Sequence, residues 1–304
     1  MNRRKVEIVE VGPRDGLQNE KAVLSIEDRI AFIGMLEKAG ARRIETVSFV
    51  NPRRVPQMAG AEAVMAGLAS PPSQGRRIGL VLNEKGWDRC VEARCDEANV
   101  VICASDGFGI RNQGASTDEQ MKTLAVIVQR AKSVGPPITA TLSVAFGCPF
   151  DGEVPEARVT ALVREIGALG VAEIALADTI GVADPWMVRA RIEAARAAAP
   201  HTPLRAHFHD TRRTGLANAY ASVEAGVDVL DASCGGLGGC PFAPNATGNI
   251  ATEDLVYMLE RAGFSTGYDL DALIAAAEWS AQKLGKAPGS ALARAGGFPR
   301  PASL

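Results

Sequence analysis

An arginine and an aspartate stand side by side where the first apolar run of the chain gives out: Val9-Glu10-Val11-Gly12-Pro13-Arg14-Asp15-Gly16-Leu17-Gln18. Gly12, Pro13 and Gly16 are turn residues, so a β-run ending near Val11 delivers Arg14 and Asp15 to a strand's C-terminal rim. That rim is where parallel α/β barrels assemble their active sites. Far along the chain, Arg205-Ala206-His207-Phe208-His209-Asp210 closes another β-run with two imidazoles two positions apart. Side chains alternate across a strand, so His207 and His209 point the same way. With Asp15 they offer two nitrogen ligands and one oxygen ligand, a set suited to a divalent metal if the two strand ends meet. The chain has only three histidines, and two share this face; His201, in a proline-flanked loop, reads as surface.

Adjacent opposite charges more often form a solvated pair, but the glycines and proline around Arg14-Asp15 argue for a shaped loop. There the guanidinium can face a developing oxyanion. Glu45 lies inside the apolar run Ile44-Glu45-Thr46-Val47-Ser48-Phe49-Val50. A carboxylate in that setting is costly unless paired, which couples it to Arg14 or to the metal shell. The run Cys234-Gly235-Gly236-Leu237-Gly238-Gly239-Cys240 follows the last β-run. It reads either as a plain connection or as a lid whose thiol, Cys240, delivers a proton on closing. Its glycine spacing matches neither a phosphate loop nor a dinucleotide fingerprint. Asn249, just ahead of the helix start Thr252-Glu253-Asp254, either offers a carbonyl oxygen as a fourth metal ligand or supports the turn.

Eight apolar β-runs recur, at 6–11, 43–50, 78–82, 98–104, 138–146, 173–177, 204–209 and 229–233. Helical patterns separate them. Ser25 caps one with Asp28 three residues on, and Ile26, Ile30 and Ile33 form its face until Gly40 stops it. Another runs from Pro155 at a first-turn position through Val159, Leu162, Val163 and Ile166 to Gly170. Further helices are expected near 55–69, 85–95, 117–134, 185–198, 213–226 and 252–262. Eight βα units predict a closed (β/α)8 barrel forming one domain over 1–304, with an added C-terminal helix and loose tail from about 268.

Composition agrees with one compact enzyme domain: 304 residues, 47% hydrophobic, 22% charged and a formal charge of −2. The 33 basic and 35 acidic residues are interspersed, which argues against nucleic acid or an anionic membrane as partner. No apolar stretch reaches the roughly 18 residues of a membrane span. The first β-run begins too early for a signal peptide's apolar core of roughly 7 to 15 residues, and the six cysteines show no C-x-x-C spacing. A reducing cytoplasm is the expected setting.

Several longer segments carry a resemblance: VGPRDGLQNEK at 11–21, ETVSFVNPRRVPQM at 45–58, Gly147-Cys148-Pro149, Ala177-Asp178-Thr179-Ile180-Gly181-Val182, the stretch 207–218, and GLGGCPFAPNATGNIATEDL at 236–255. In these the chain resembles, over nearly its whole length, the hydroxymethylglutaryl-CoA lyases, part of a wider group of metal-dependent lyases and Claisen-type synthases on TIM barrels. The resemblance implies Asp15, His207, His209 and Asn249 as ligands of Mg²⁺ or Mn²⁺, Arg14 as enolate stabiliser and Cys240 as catalytic thiol. It implies supporting roles for Glu45, Asp178 and Glu253, places Gln18, Thr141 and Thr179 on the substrate side, and suggests a homodimer. The implied reaction is retro-Claisen cleavage of a 3-hydroxy-3-substituted glutaryl-CoA, with His207 or Asp15 taking the hydroxyl proton.

Two departures bear on the substrate. Arg212-Arg213-Thr214 stands where the family shows Tyr-Gly-Gln, which is expected to alter recognition of the CoA or acid portion. Thr141 stands where a tyrosine is common. Thr141, Ser143 and Ala145 share a strand face, expected to line the barrel axis, so a threonine there leaves room for a C3 substituent larger than methyl, or for a relative such as citramalyl-CoA. The rival readings are a condensing enzyme of the isopropylmalate synthase type and a non-catalytic metal or acyl-CoA binder. Arg14 and the glycine-loop thiol favour cleavage over both.

Overall fold

The structure, a computed structural model, describes residues 3–68, 75–239 and 248–299. Among them, eight parallel strands close into a barrel in chain order: β1 (Glu7–Glu10), β2 (Arg43–Ser48), β3 (Arg76–Val81), β4 (Glu97–Cys103), β5 (Ile138–Ser143), β6 (Glu173–Asp178), β7 (Leu204–Phe208) and β8 (Val229–Ala232). Closure comes from β1 pairing with β8, Glu7 to Glu10 lying opposite Val229 to Ala232. Each expected β-run is a strand to within a few residues.

The outer layer is α1 (Ile26–Lys38), α2 (Ala61–Gly67), α3 (Glu84–Glu92), α4 (Asp106–Gln113), α5 (Thr117–Ala131), α6 (Glu156–Ala168), α7 (Pro185–Ala198), α8 (Gly215–Glu224) and α9 (Thr252–Arg261), followed by α10 (Leu270–Leu284) and the short α11 (Leu292–Ala295). Their starts follow local chemistry: Ser25, Asn83, Ser105, Ser116 and Asp184 each accept a backbone N–H of the first turn. α10 packs beside α1 and α9 and reaches the turn after β8, and its Trp279 stacks on Phe32 of α1 with ring centroids 6.2 Å apart.

Four details differ from the expectation. Pro155 is the N-cap of α6, one position earlier than a first-turn residue. Gly12–Gly16, expected as a shaped loop, is a wide π-helical turn with Pro13 at its start. α4 was not expected, because Gly107 and Gly109 interrupt its apolar pattern. Finally, the alternation of β5 stops at Ser143: Val144 turns to φ 49°, so Ala145 does not join Thr141 and Ser143 on the cavity wall.

Glu10 ends β1 completely buried. Its carboxylate accepts the N–H groups of Gly12 (2.8 Å) and Cys234 (2.9 Å) and the hydroxyl of Thr252 (2.7 Å). It thereby fastens the π-turn, the start of the glycine run and α9 to one point. Burial raises its pKa to about 7 against those hydrogen bonds. The folded state therefore keeps a proton that the unfolded chain releases near 4.5, and stability falls as pH rises between those values. Glu10→Gln preserves the shape and can still accept both N–H groups. Its unfolding free energy should match wild type below pH 4.5 and exceed it by about 3 kcal/mol at pH 8. Urea melts across that range check this, and parallel curves would remove Glu10 from the pH dependence.

Candidate active site

Arg14 leaves the π-turn beneath the rim, 9% exposed. Its Nε donates to Glu45 at 2.5 Å, its Nη2 also pairs with Glu45, and its Nη1 donates to Asp15 Oδ1 at 2.7 Å. Of the five N–H bonds of a guanidinium, two have no partner among the described residues, and Arg14 lines the cavity. Burial opposes its charge, but Glu45 and Asp15 outweigh that and raise its pKa. Glu45 is fixed from its other side by Asn99, whose amide donates to Oε1 at 2.9 Å. The carboxylate inside the apolar run is therefore paired to Arg14.

Asp15, His207 and His209 converge, with one ligand atom of each lying within 4.8 Å of the others. Ligands about 2.1 Å from an ion stand roughly 3 to 4 Å apart, so the spacing fits a small cation after modest adjustment. Burial would raise the pKa of Asp15, but Arg14 and the two histidines hold it well below the usual carboxylate range. His209 is pushed down to about 4 by burial and by the neighbouring His207. At neutral pH the cluster thus offers an ionised carboxylate and a neutral imidazole, as a cation requires.

His207 behaves differently. Burial opposes its protonation, yet Asp231, 3.1 Å from Nδ1, raises its pKa. Asn249 completes the set: its Nδ2 donates to Asp15 Oδ2 (2.8 Å) and to the carbonyl of Leu237 (3.1 Å). Its Oδ1 is buried with no hydrogen-bond partner among the described residues, as is Nδ1 of His209. An orphaned amide oxygen beside a carboxylate and two imidazoles fits a divalent ion.

Arg14, Asp15, His207 and His209 line a cavity of about 670 Å³. Gln18, Thr141 and Thr179 are on its wall, Gln18 with a buried Oε1 that has no partner among the described residues. Thr179 also accepts the N–H of Val144 at 2.8 Å. Asp178 and Glu253 are not on the wall. Ala177 and Thr179 face the cavity, so strand alternation turns Asp178 away, where it accepts the N–H groups of Val182 and Ala183 at 2.9 and 3.0 Å. Burial raises its pKa despite those bonds. Glu253 accepts the N–H of Gly235 through both oxygens at 3.1 Å and is raised to about 7 by burial. Both hold rim loops.

Cys240 lies outside the described residues; Gly239, its neighbour in the chain, is on the cavity wall. The start of the glycine run needs its glycines for their backbone, with φ 71° at Gly235 and 123° at Gly238. Arg212-Arg213-Thr214 also misses the cavity. Arg212 donates to the carbonyls of Ile180 and Gly181, and Thr214 to that of Ala183, so this departure ties the β6 and β7 loops together.

Several cavity residues were not anticipated. Asn99 and Asp231 line the cavity from β4 and β8, α4 contributes Phe108 and Arg111, and Arg205 of β7 is buried beside them within reach of Asp231 and Thr141. The signal was present in the parity of polar residues: Arg43-x-Glu45, Glu97-x-Asn99, Thr139-x-Thr141-x-Ser143, Arg205-x-His207-x-His209 and Asp231-x-Ser233 each place like-facing polar groups on one strand.

The family profile described as HMGL-like matches residues 5–279. The 3-hydroxy-3-isohexenylglutaryl-CoA/hydroxymethylglutaryl-CoA lyase of Pseudomonas aeruginosa is 40% identical over 292 residues, covering 96% of this chain and 97% of its own. The human mitochondrial hydroxymethylglutaryl-CoA lyase is also 40% identical over 292 residues, 96% of this chain and 90% of its own. The structure of an HMG-CoA lyase from Acinetobacter baumannii, in complex with coenzyme A and 3-methylmalate, superposes with a TM-score of 0.92 at 38% identity, covering 98% of both chains. By a profile match over most of its length and relatives this similar end to end, the chain belongs to the HMGL-like family.

Proposed function

We propose that this protein is a divalent-metal-dependent carbon–carbon lyase cleaving 3-hydroxy-3-methylglutaryl-CoA, or a close analogue, to acetyl-CoA and a 3-oxo acid, acetoacetate for the methyl compound. The observation that carries the reading is Arg14, locked between Asp15 and Glu45 with two N–H bonds unpartnered among the described residues, beside the Asp15, His207 and His209 cluster on the wall of a cavity. Asp15, His207, His209 and Asn249 would hold Mg²⁺ or Mn²⁺, which would supply Lewis acidity to the substrate's hydroxyl.

In the cleavage, the hydroxyl gives up its proton to His207 or Asp15, and its oxygen becomes the ketone oxygen of the 3-oxo acid. The electron pair of the broken C–C bond passes into the thioester as an enolate. Arg14 faces that oxyanion with a charge secured by two carboxylates, and no reorganisation is needed as the charge develops. A proton then returns to the enolate carbon. Cys240, next to the cavity-lining Gly239, is the donor by family likeness. The exposed Arg54 and Arg111 on the outer cavity wall suit the phosphates of CoA. A homodimer in a reducing cytoplasm completes the reading. The five described cysteines, all buried and unpaired, support such a compartment. No helix among the described residues is long and apolar enough to cross a membrane.

Purified protein given Mg²⁺ or Mn²⁺ and a panel of 3-hydroxyacyl-CoA esters should release acetyl-CoA; failure with every ester overturns the proposal. Arg14→Met should bind Mn²⁺ as wild type does while kcat falls roughly 10²- to 10³-fold, the effect of a lost oxyanion donor. Near-normal turnover would take Arg14 out of the chemistry.

A second reading concerns the acyl group. Thr141 leaves the cavity continuous past Val101 toward Phe108 and Thr123, and the Pseudomonas aeruginosa relative is named for a branched C3 chain as well as for methyl. The protein should then accept 3-alkyl substituents longer than methyl, by a modest margin, since a methylene in an apolar pocket is worth roughly 1 to 3 kcal/mol. Thr141→Tyr should shift the kcat/KM ratio toward the methyl ester, whereas Thr141→Val, which keeps the volume, should not. An unchanged ratio in the tyrosine variant removes Thr141 from substrate choice.

A further inference from the structure

We propose that Asp231 is the positioning residue that fixes His207 as a metal ligand through Nε2, and that Arg205 holds Asp231 in place to do so. The inference rests on the metal centre proposed above and adds what orients it.

His207 and Asp231 are register partners on the adjacent strands β7 and β8, so their side chains leave neighbouring backbone positions on the same inner face. Asp231 Oδ2 lies 3.1 Å from His207 Nδ1, and both residues are at least nine-tenths buried. A carboxylate can only accept, so Nδ1 carries the hydrogen and the lone pair of the ring is left on Nε2. The other oxygen of Asp231 faces Arg205 Nε at 3.5 Å. That nitrogen is also 3.3 Å from Glu173, and Arg205 is 1% exposed. Arg205 cannot turn to water, and Glu173 is itself held by Arg43 through bonds of 2.9 and 3.2 Å. Neither Asp231 Oδ1 nor Arg205 Nε makes a hydrogen bond among the described residues, so Asp231 is braced from this side by the charge of Arg205.

The contrast with His209 shows what the brace is for. His209 Nδ1 has no partner among the described residues, so of the two imidazoles only His207 has a tautomer set by a carboxylate. Outer-shell carboxylates of this kind orient a ligand and raise its basicity. One consequence follows for the reaction. With Nδ1 bonded to Asp231 and Nε2 turned to the ion, His207 has no lone pair left to take the substrate's hydroxyl proton, which strikes it from the two acceptors open at the level of sequence.

The test measures metal affinity, separately from turnover. Mn²⁺ titration followed by electron paramagnetic resonance should give one ion per chain for wild type. Asp231→Ala should bind ten- to a hundred-fold more weakly at the same stoichiometry, and Asp231→Asn, which keeps an acceptor oxygen, should recover part of the loss. Circular dichroism and melting of the metal-free variants show whether they fold. A folded Asp231→Ala with wild-type affinity overturns the inference. Should that variant not fold, ¹⁵N spectra of the Mg²⁺-loaded wild type decide, made tractable by only three histidines. A proton on Nδ1 of His207 supports the assignment, and a proton on Nε2 defeats it. If wild type takes up no Mn²⁺, the metal-centre reading fails and this one with it, whereas equal uptake by wild type and Asp231→Ala removes only the role of Asp231.

Discussion

Taking charges out of water costs several kcal/mol apiece unless each finds partners of good geometry, and the interior of this barrel meets that demand with one connected circuit. Asp15 bonds Arg14, Arg14 bonds Glu45, Asn99 donates to Glu45, and Thr141 donates to Asn99 at 2.9 Å while accepting from Arg205 at 3.4 Å. Arg205 faces Asp231, and Asp231 bonds His207, which returns to the cluster shared with Asp15. The members come from the turn after β1 and from β2, β4, β5, β7 and β8. Only a closed barrel brings those strands around one axis. The geometry of the metal cluster and the charge state of Arg14 are thus properties of the whole circuit, since removing any member leaves a buried polar group without its partner.

Beneath the circuit, the layer that is usually filled by branched apolar side chains in such barrels is largely ionic. Arg43 reaches Glu97 at 2.7 Å and Glu173 at 2.9 Å, and Thr139 adds a bond to Glu97. Apolar packing inside the barrel is left to a small cluster of Val9, Val11, Ile78 and Val229. Buried ion pairs give little net stability, but they discriminate between registers. A one-residue slip of any strand would turn these charges onto the apolar helix layer. The arrangement that fixes register is continuous with the one that aims His207.

How much of this could be read from sequence follows from which signals are local. Strand periodicity and helix caps are local, so the eight strands, the order of the barrel and the shared face of His207 and His209 were legible. Arg14, Asp15 and Glu45 were legible because a charge beside turn residues, or inside an apolar strand, is costly enough to demand a reason. Asn99, Arg205 and Asp231 were missed because their partners lie on other strands, and only the parity of polar residues hinted at a polar axis. α4 was hidden by Gly107 and Gly109, although Ser105 caps it and its Phe108 reaches the cavity. Asp178 and Glu253 illustrate the converse. Their motifs marked them as functional, and the side chains hold loops away from the cavity. Arg212 does the same, which no spacing rule could reveal.

The two halves of the proposed chemistry, metal ligation and delivery of a proton by a thiol, are supported in different ways and meet at one residue. Strand alternation puts both histidines on one face, and Asp231 orients His207 there. The glycine run that leads to Cys240 has no strand to hold it, and its root is fixed by carboxylates that accept its backbone N–H groups, Glu10 at Cys234 and Glu253 at Gly235. Farther along, Asn19 donates to the carbonyl of Gly239 at 2.9 Å. Between these points, Asn249 donates to Leu237 of the run with the same amide nitrogen that bonds Asp15, while its oxygen is left for the ion. A shift of the run at Leu237 must therefore turn the Asn249 amide, and with it a candidate metal ligand. The amide is a mechanical link through which the position of the loop before Cys240 and the completeness of the ligand set depend on each other.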